Sequence, residues 1–160
     1  KSPPDPARSP LAIPIGGIHS NLPVKFAPNG GAVPGDRIVG IVTPGEGITI
    51  YPIQSPALTD FEEEPERWLD VRWDVDDTTL QRFPARIVVD SLNEPGSLAQ
   101  VATVIAEHDG NIDNISMSRR SDDFTEMTID LEVYDLKHLS AILAQLRAKD
   151  VVARVERVNG

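Results

Sequence analysis

The sequence predicts an α+β protein in which a β-α-β-β-α-β domain over residues 82–160 follows a small β-rich module over residues 21–78. Three observations carry this. Residues 124–133 alternate without a break, with Thr125, Met127, Ile129, Leu131 and Val133 on one face and Glu126, Thr128, Asp130 and Glu132 on the other, the pattern of a strand with one buried face. Two apolar stripes at helical spacing flank it, Leu98–Val101–Ala102–Ile105 and Leu136–Leu139–Leu143–Leu146. Proline is unevenly spread: twelve of the 14 precede residue 80, which precludes long helices in the first half.

Taken in order, residues 1–20 open with four prolines in ten positions and are expected to form a stiff, unfolded linker. Lys1 in place of Met leads us to expect a piece of a longer chain. Leu22–Phe26 reads as a short strand. Arg37–Thr43 is a second strand entered through the turn Pro34-Gly35-Asp36, and Pro44-Gly45-Glu46-Gly47 turns it into Ile48–Tyr51. Thr59 or Asp60 is expected to cap a short helix carrying Phe61 and the acidic run Glu62-Glu63-Glu64, and Trp68–Trp73 to form one strand with Leu69, Val71 and Trp73 on one side. About 55 residues build little core, so this module is expected to lean on a neighbour.

In the second half, Phe83–Ser91 reads as a strand and Gly96–His108 as a helix ended by Asp109-Gly110, with Gly110 as the left-handed cap. Ile112, Ile115 and Met117 mark the next strand, the alternating strand follows, and the Leu136–Leu146 helix leads to a last strand over 151–158. This order folds as a ferredoxin-like sheet with both helices on one face.

Composition excludes several function classes. The net charge of −10 argues against general nucleic-acid binding, which draws on clustered Lys and Arg; Arg119-Arg120 is the one conspicuous basic pair, read first as a solvated loop pair. Zero Cys excludes disulfides and thiolate metal sites and fits a cytoplasmic setting. No apolar run reaches membrane-spanning length, and the opening Lys1–Pro6 lacks the apolar stretch expected of a signal peptide. The three His (His19, His108, His138) have no metal-ligand spacing, His108-Asp109 reading as a helix end, and no catalytic triad or phosphate loop is evident.

The most informative segment is Asn93-Glu94-Pro95-Gly96-Ser97-Leu98, between the first strand and first helix. Pro95 suits a first helical turn, Gly96 lets a ligand approach the backbone, and the free N–H groups of a helix start take a carboxylate. Asn93 offers an amide to an ammonium group. Asn111 and Ile112, opening the next strand, are expected at the same end of the sheet, so that Asn93, Gly96, Ser97, Leu98, Asn111 and Ile112 would enclose a small apolar amino acid. A capped turn without any ligand is the competing reading of the same residues.

The run Asp90–Leu98 followed by Gly110-Asn111-Ile112 resembles the ACT family of amino-acid-sensing domains. Phe26-Ala27, Pro34–Gly40 and Gly45–Ile48, closed by Asp70–Trp73, resemble the module that precedes the ACT domain in long RelA/SpoT-family (p)ppGpp synthetase–hydrolases, the enzymes of the stringent response. The resemblance covers Asn21–Val158. It implies a non-catalytic regulatory region, with a GTP pyrophosphokinase and pyrophosphohydrolase upstream, an ACT domain that binds a branched-chain amino acid such as valine or isoleucine and biases the enzyme toward hydrolysis, and a homodimer through that domain. A phosphotransferase-system protein or the ribosome is the alternative partner. Many relatives of the small module carry a zinc-binding set; the matching positions here are Asn29, Gly30, Tyr51 and Ser55, so no metal is expected, and no cofactor other than an amino-acid effector.

Overall fold

The computed structural model describes residues 15–16, 22–75 and 81–159, with the backbone alone for 118–120. Most of the expected linker, His19 and the side chains of Arg119 and Arg120 thus lie outside the described residues. The first half contains β1 (Ile15–Gly16), β2 (Val24–Phe26), β3 (Ile38–Thr43), β4 (Gly47–Pro52), β5 (Trp68–Leu69) and β6 (Arg72–Trp73). Strands β2, β4, β3 and β5 form one sheet in that order, with β2 parallel to β4, while β6 pairs with β1. The β3–β4 hairpin is the predicted one; on one side Ile48 and Ile50 form a small core with Val71, and on the other Val39 and Ile41 pack with Leu58.

Two expectations for this module need correction. The short helix is a 3-10 helix, Pro56–Phe61, capped by Ser55, whose hydroxyl accepts from the Ala57 N–H at 3.2 Å. Pro56 decides this, because its fixed φ and missing N–H suit a first helical position. The acidic residues Glu62–Glu64 therefore follow the helix rather than riding on it. Trp68–Trp73 is also not one strand: β5 joins β3, β6 joins β1, and Asp70-Val71 separates them. The alternation is real, but it serves two cores. Leu69 and Val71 pack into the small one, whereas Trp73 packs against the larger one of the second half.

The second half follows the predicted order: β7 (Phe83–Leu92), α1 (Ser97–Glu107), β8 (Asn111–Arg120), β9 (Phe124–Val133), α2 (Leu136–Arg147) and β10 (Val152–Val158). The sheet order is β10-β7-β9-β8, with every neighbouring pair antiparallel. Helix α1 packs over β7 and β8, α2 over β9 and β10, and the helices touch each other. Ile87, Val89, Ile105, Ile129, Leu139, Ile142 and Leu146 are all fully enclosed. Asp109, not Gly110, takes the left-handed conformation after α1, with φ 64°. Gly110 is needed for space: a Cβ there would lie 2.8 Å from an Ile105 methyl and 2.9 Å from one of Ile142.

The small module does lean on its neighbour. Phe26 stacks on Trp73 at 5.7 Å, and both meet Phe83 edge-on. Beside this cluster the Asp36 carboxylate takes two bonds from Arg157, 2.7 Å from Nη1 and 2.6 Å from Nη2. Asp36 also accepts from the Val33 N–H at 2.7 Å, its carbonyl accepts from Trp73 Nε1 at 3.0 Å, and the Leu136 N–H donates to the Pro34 carbonyl at 2.7 Å. Asp36 and Arg157 side chains are only 5% and 11% exposed. Removing one partner of such a pair strands the other charge and typically costs about 3–5 kcal/mol, whereas replacing both by apolar groups is far milder. Asp36→Ala is accordingly expected to lower stability by about that much in urea titration, and Asp36→Leu with Arg157→Met by clearly less. Equal losses would show that packing, not the buried charge, sets the cost.

Candidate functional site

The core face of β7 reads Phe83, Ala85, Ile87, Val89 and then Ser91; that of β9 reads Val133, Leu131, Ile129, Met127 and then Thr125. Ser91 and Thr125 lie opposite each other in register, so the sheet's inner face turns from apolar to hydroxylic at the end where β7 enters α1. There Gly96 sits just before the helix with φ 88°, in open space where a Cβ would meet nothing. Its role is conformational. Pro95 lies outside the helix, one residue before the cap, contrary to the expected position, because the left-handed Gly96 ends the turn that begins at Glu94. No side chain caps α1, which leaves the amides of its first turn without a side-chain oxygen.

Beneath this junction is a cavity of about 160 Å³, lined by Asn93, Gly96, Ser97 and Leu98 together with Ser91, Met117, Thr125 and Met127. Four of the six predicted residues thus meet. Ser91 and Ser97 are 0% and 3% exposed, and neither hydroxyl has a hydrogen-bond partner. A buried polar group without a partner costs about 1–3 kcal/mol, which makes the two hydroxyls the candidate polar contacts of this cavity. Leu98, Met117 and Met127 also border the cavity, whose open wall is mainly polar.

Asn93 is held on three sides. Its N–H donates to the Asp123 carbonyl at 2.8 Å, its Nδ2 to the Ser121 carbonyl at 3.3 Å, and its Oδ1 accepts from Thr125 Oγ1 at 3.1 Å. Asn111 and Ile112 do not join it. Strands β7 and β8 are both antiparallel to β9 and therefore parallel to each other, so β8 begins beside the start of β7: Asn111 pairs with Glu132, and Phe83 with Val133. The nine steps from Asn111 to Arg120 span about 30 Å. Asn111 Nδ2 instead donates to Glu132 Oε1 at 2.9 Å, and Ile112 packs against the core. Ser91 and Thr125 escaped the sequence reading, although each is a hydroxyl at the end of an otherwise apolar face.

Two larger hollows are walled by carboxylates. One of about 360 Å³, on the helix-free face, is lined by Asp90, Glu126, Phe124, Ser121 and Ala153. The other, about 320 Å³, lies between residues 26–31 and Arg86, Asp113, Asp130 and Glu132; the Asp130 hydrogen bond there, against the opposing effect of burial, raises the pKa of Arg86 above its ordinary value. The smaller cavity alone combines a helix start with buried neutral hydroxyls. The remaining polar candidates have structural partners. His108 closes α1 and its Nδ1 bonds the Val104 carbonyl at 2.8 Å; His138 Nδ1 accepts from the Tyr134 N–H. At the zinc-set positions, Gly30 lies against the Val158 carbonyl, Tyr51 packs on Phe61 and Ser55 caps the 3-10 helix. No three His, Asp or Glu side chains gather as a metal site among the described residues, and no helix there is long and apolar enough to cross a membrane.

A sheet of this order, with its open helix start and the cavity beneath, is an ACT domain, and residues 79–157 match the ACT domain model. Residues 13–74 match the RelA/SpoT RIS domain. The chain is 61% identical over 149 residues to the GTP pyrophosphokinase rsh of Brucella abortus, covering 93% of this chain and 20% of that protein. It is 29% identical over 147 residues to the bifunctional (p)ppGpp synthase/hydrolase SpoT of Escherichia coli, covering 87% and 21%. The crystal structure of the ACT domain from the GTP pyrophosphokinase of Chlorobium tepidum matches with a TM-score of 0.43 and 26% identity, covering 48% of this chain and 99% of that one. The chain belongs to the RelA/SpoT family, and spans about a fifth of the length of the curated relatives it matches.

Ser91→Ala and Ser97→Ala are expected to leave stability unchanged or raise it, since each removes a buried hydroxyl with no partner. Thr125→Ala should lower it by about 1 kcal/mol through the bond lost to Asn93. Urea titration of the three variants decides the matter: a clear loss for Ser91→Ala would show that its hydroxyl is already satisfied.

Proposed function

We propose that this chain is the regulatory part of a (p)ppGpp synthetase–hydrolase, and that its ACT domain binds a branched-chain amino acid and biases catalytic domains of the same protein toward hydrolysis. The observation that carries the reading is the pair of buried, unpartnered hydroxyls at an uncapped helix start. The cavity's size suits a small amino acid and is far too small for a nucleotide. The Ser97 hydroxyl and the first amides of α1 would take the carboxylate, Asn93 Oδ1 the ammonium group, and Leu98, Met117 and Met127 the side chain.

The displaced Asn111 finds its place through a second copy. Strand β8 is an edge of the sheet, and an edge strand pairs readily with another chain. Antiparallel pairing of two β8 strands sets the start of one beside the end of the other, which brings the second copy's Asn111 and Ile112 toward the first copy's Asn93. Ligand binding would then depend on the dimer. Regulation requires that the ligand favour one global state of the whole enzyme, with a typical coupling of about 1–3 kcal/mol. Phe124, 42% exposed beside the 360 Å³ hollow, favours a second reading, in which the same end of the domain docks a protein partner and needs no amino acid.

Calorimetry with valine, isoleucine and leucine tests the first reading, and the dimer is tested by complementation. Asn93→Ala and Asn111→Ala should each weaken binding about tenfold or more. Mixing the two variants under conditions that exchange subunits should restore one intact site per mixed dimer. Asn111→Ala with undiminished affinity would remove the second copy from the site; no heat from any of the three amino acids with a folded dimer would leave partner docking as the reading.

A further inference from the structure

We propose that Thr125 is a positioning residue that, by donating to Oδ1, anchors the Asn93 amide in the orientation the Ser121 carbonyl selects and so makes the cavity demand an ammonium group; this rests on the amino-acid reading above. The carbonyl of Ser121 can only accept a hydrogen bond, so the amide nitrogen of Asn93 must face it. The amide oxygen then faces Thr125, and the Thr125 hydroxyl must donate. Thr125 is only 4% exposed, so bulk water does not compete for that proton. The backbone bond from Asn93 to Asp123 holds the loop while the side chain is set.

This has a chemical consequence for the cavity wall. With its proton committed to Asn93, the Thr125 oxygen offers only lone pairs, and Asn93 Oδ1 keeps one lone pair for a ligand. One wall therefore accepts, while the wall of Ser97 and the α1 start donates. A zwitterion fits that polarity in one orientation, carboxylate toward the helix and ammonium toward the two acceptors. A 2-hydroxy acid of the same shape has one hydroxyl proton in place of three ammonium protons and carries no positive charge there. Flipping the amide would turn the accepting wall into a donating one; the Ser121 carbonyl, which can only accept, excludes the flip, and the Thr125 bond holds the selected orientation in place.

The test compares valine, isoleucine and leucine with their matched 2-hydroxy acids by calorimetry, on the intact chain and on Thr125→Val and Thr125→Ser. The intact chain should prefer the amino acid. Thr125→Val should weaken amino-acid binding about tenfold or more, in keeping with a lost bond near a charged group, and should weaken hydroxy-acid binding clearly less, because no charged group is then affected. Thr125→Ser should restore the preference. Thr125→Ala gives the same comparison if the valine variant melts early. Unchanged amino-acid affinity in Thr125→Val, or equal losses for both ligand classes, would overturn the positioning role while leaving the amino-acid site standing. Failure of the intact chain to bind any amino acid would overturn both together.

Discussion

The path of the chain from β7 through α1 to β8 constrains everything else in the ACT domain. Because β7 and β8 both run antiparallel to β9, the helix between them must carry the chain back along the sheet. Its amide-rich start therefore lies at one end and the opening of β8 at the other. Two polar segments only thirteen residues apart, from Leu98 to Asn111, end up separated by nearly the length of the domain. The same constraint leaves β8 as an edge, and an antiparallel partner on that edge cancels the separation. The separation of the two segments and the free edge of β8 follow from one topological fact.

A second relation ties the site to the rest of the chain. Strand β10 starts beside the cavity, where Val152 pairs with Ser91, and ends at Arg157, whose guanidinium grips Asp36 of the RIS domain. The aromatic group of Phe26, Trp73 and Phe83 lies at that same far end. One continuous strand thus spans from the ligand corner to the domain contact. Adjacency is not coupling, but a buried, doubly bonded ion pair has few intermediate arrangements. It is intact or broken, which is the kind of element that a ligand can bias in discrete steps.

Much of the fold was legible because periodicity reports burial directly. The break-free alternation of β9 and the two apolar helical stripes identify the sheet and both helices, and most of the residues they mark are enclosed, Leu98 at the exposed start of α1 being the clear exception. Where the reading failed, a local signal served a tertiary purpose. Trp68–Trp73 alternates as a single strand does, yet Trp73 turns toward another core. Gly110 resembles a left-handed cap, but the crowding of Ile105 and Ile142 explains it, and Asp109 takes the strained φ. The candidate site was half legible. Asn93, Gly96, Ser97 and Leu98 are neighbours in sequence and so had to meet, whereas the placement of Asn111 depends on strand direction, which no local pattern encodes. Thr125 was visible only as one more inward position of a strand, and its hydroxyl mattered less to the periodicity than its methyl group.

The inner face of the sheet departs from close apolar packing at just one end. Along β7 and β9 every inward position is apolar until Ser91 and Thr125, and one of these hydroxyls is bonded while the other is not. A cavity that served only stability would carry Ala or Val at both places, sparing the cost of an unpaired hydroxyl. Natural sequences break such rules mainly where function requires it. The asymmetry within the pair is informative too. Thr125 spends its proton on holding Asn93 still, which preorganises an acceptor; Ser91 and Ser97 keep theirs uncommitted, which leaves donors for a guest. Anchored acceptors beside uncommitted donors are the arrangement a ligand with one positive and one negative pole would need, which is why the amino-acid proposal rests on this corner.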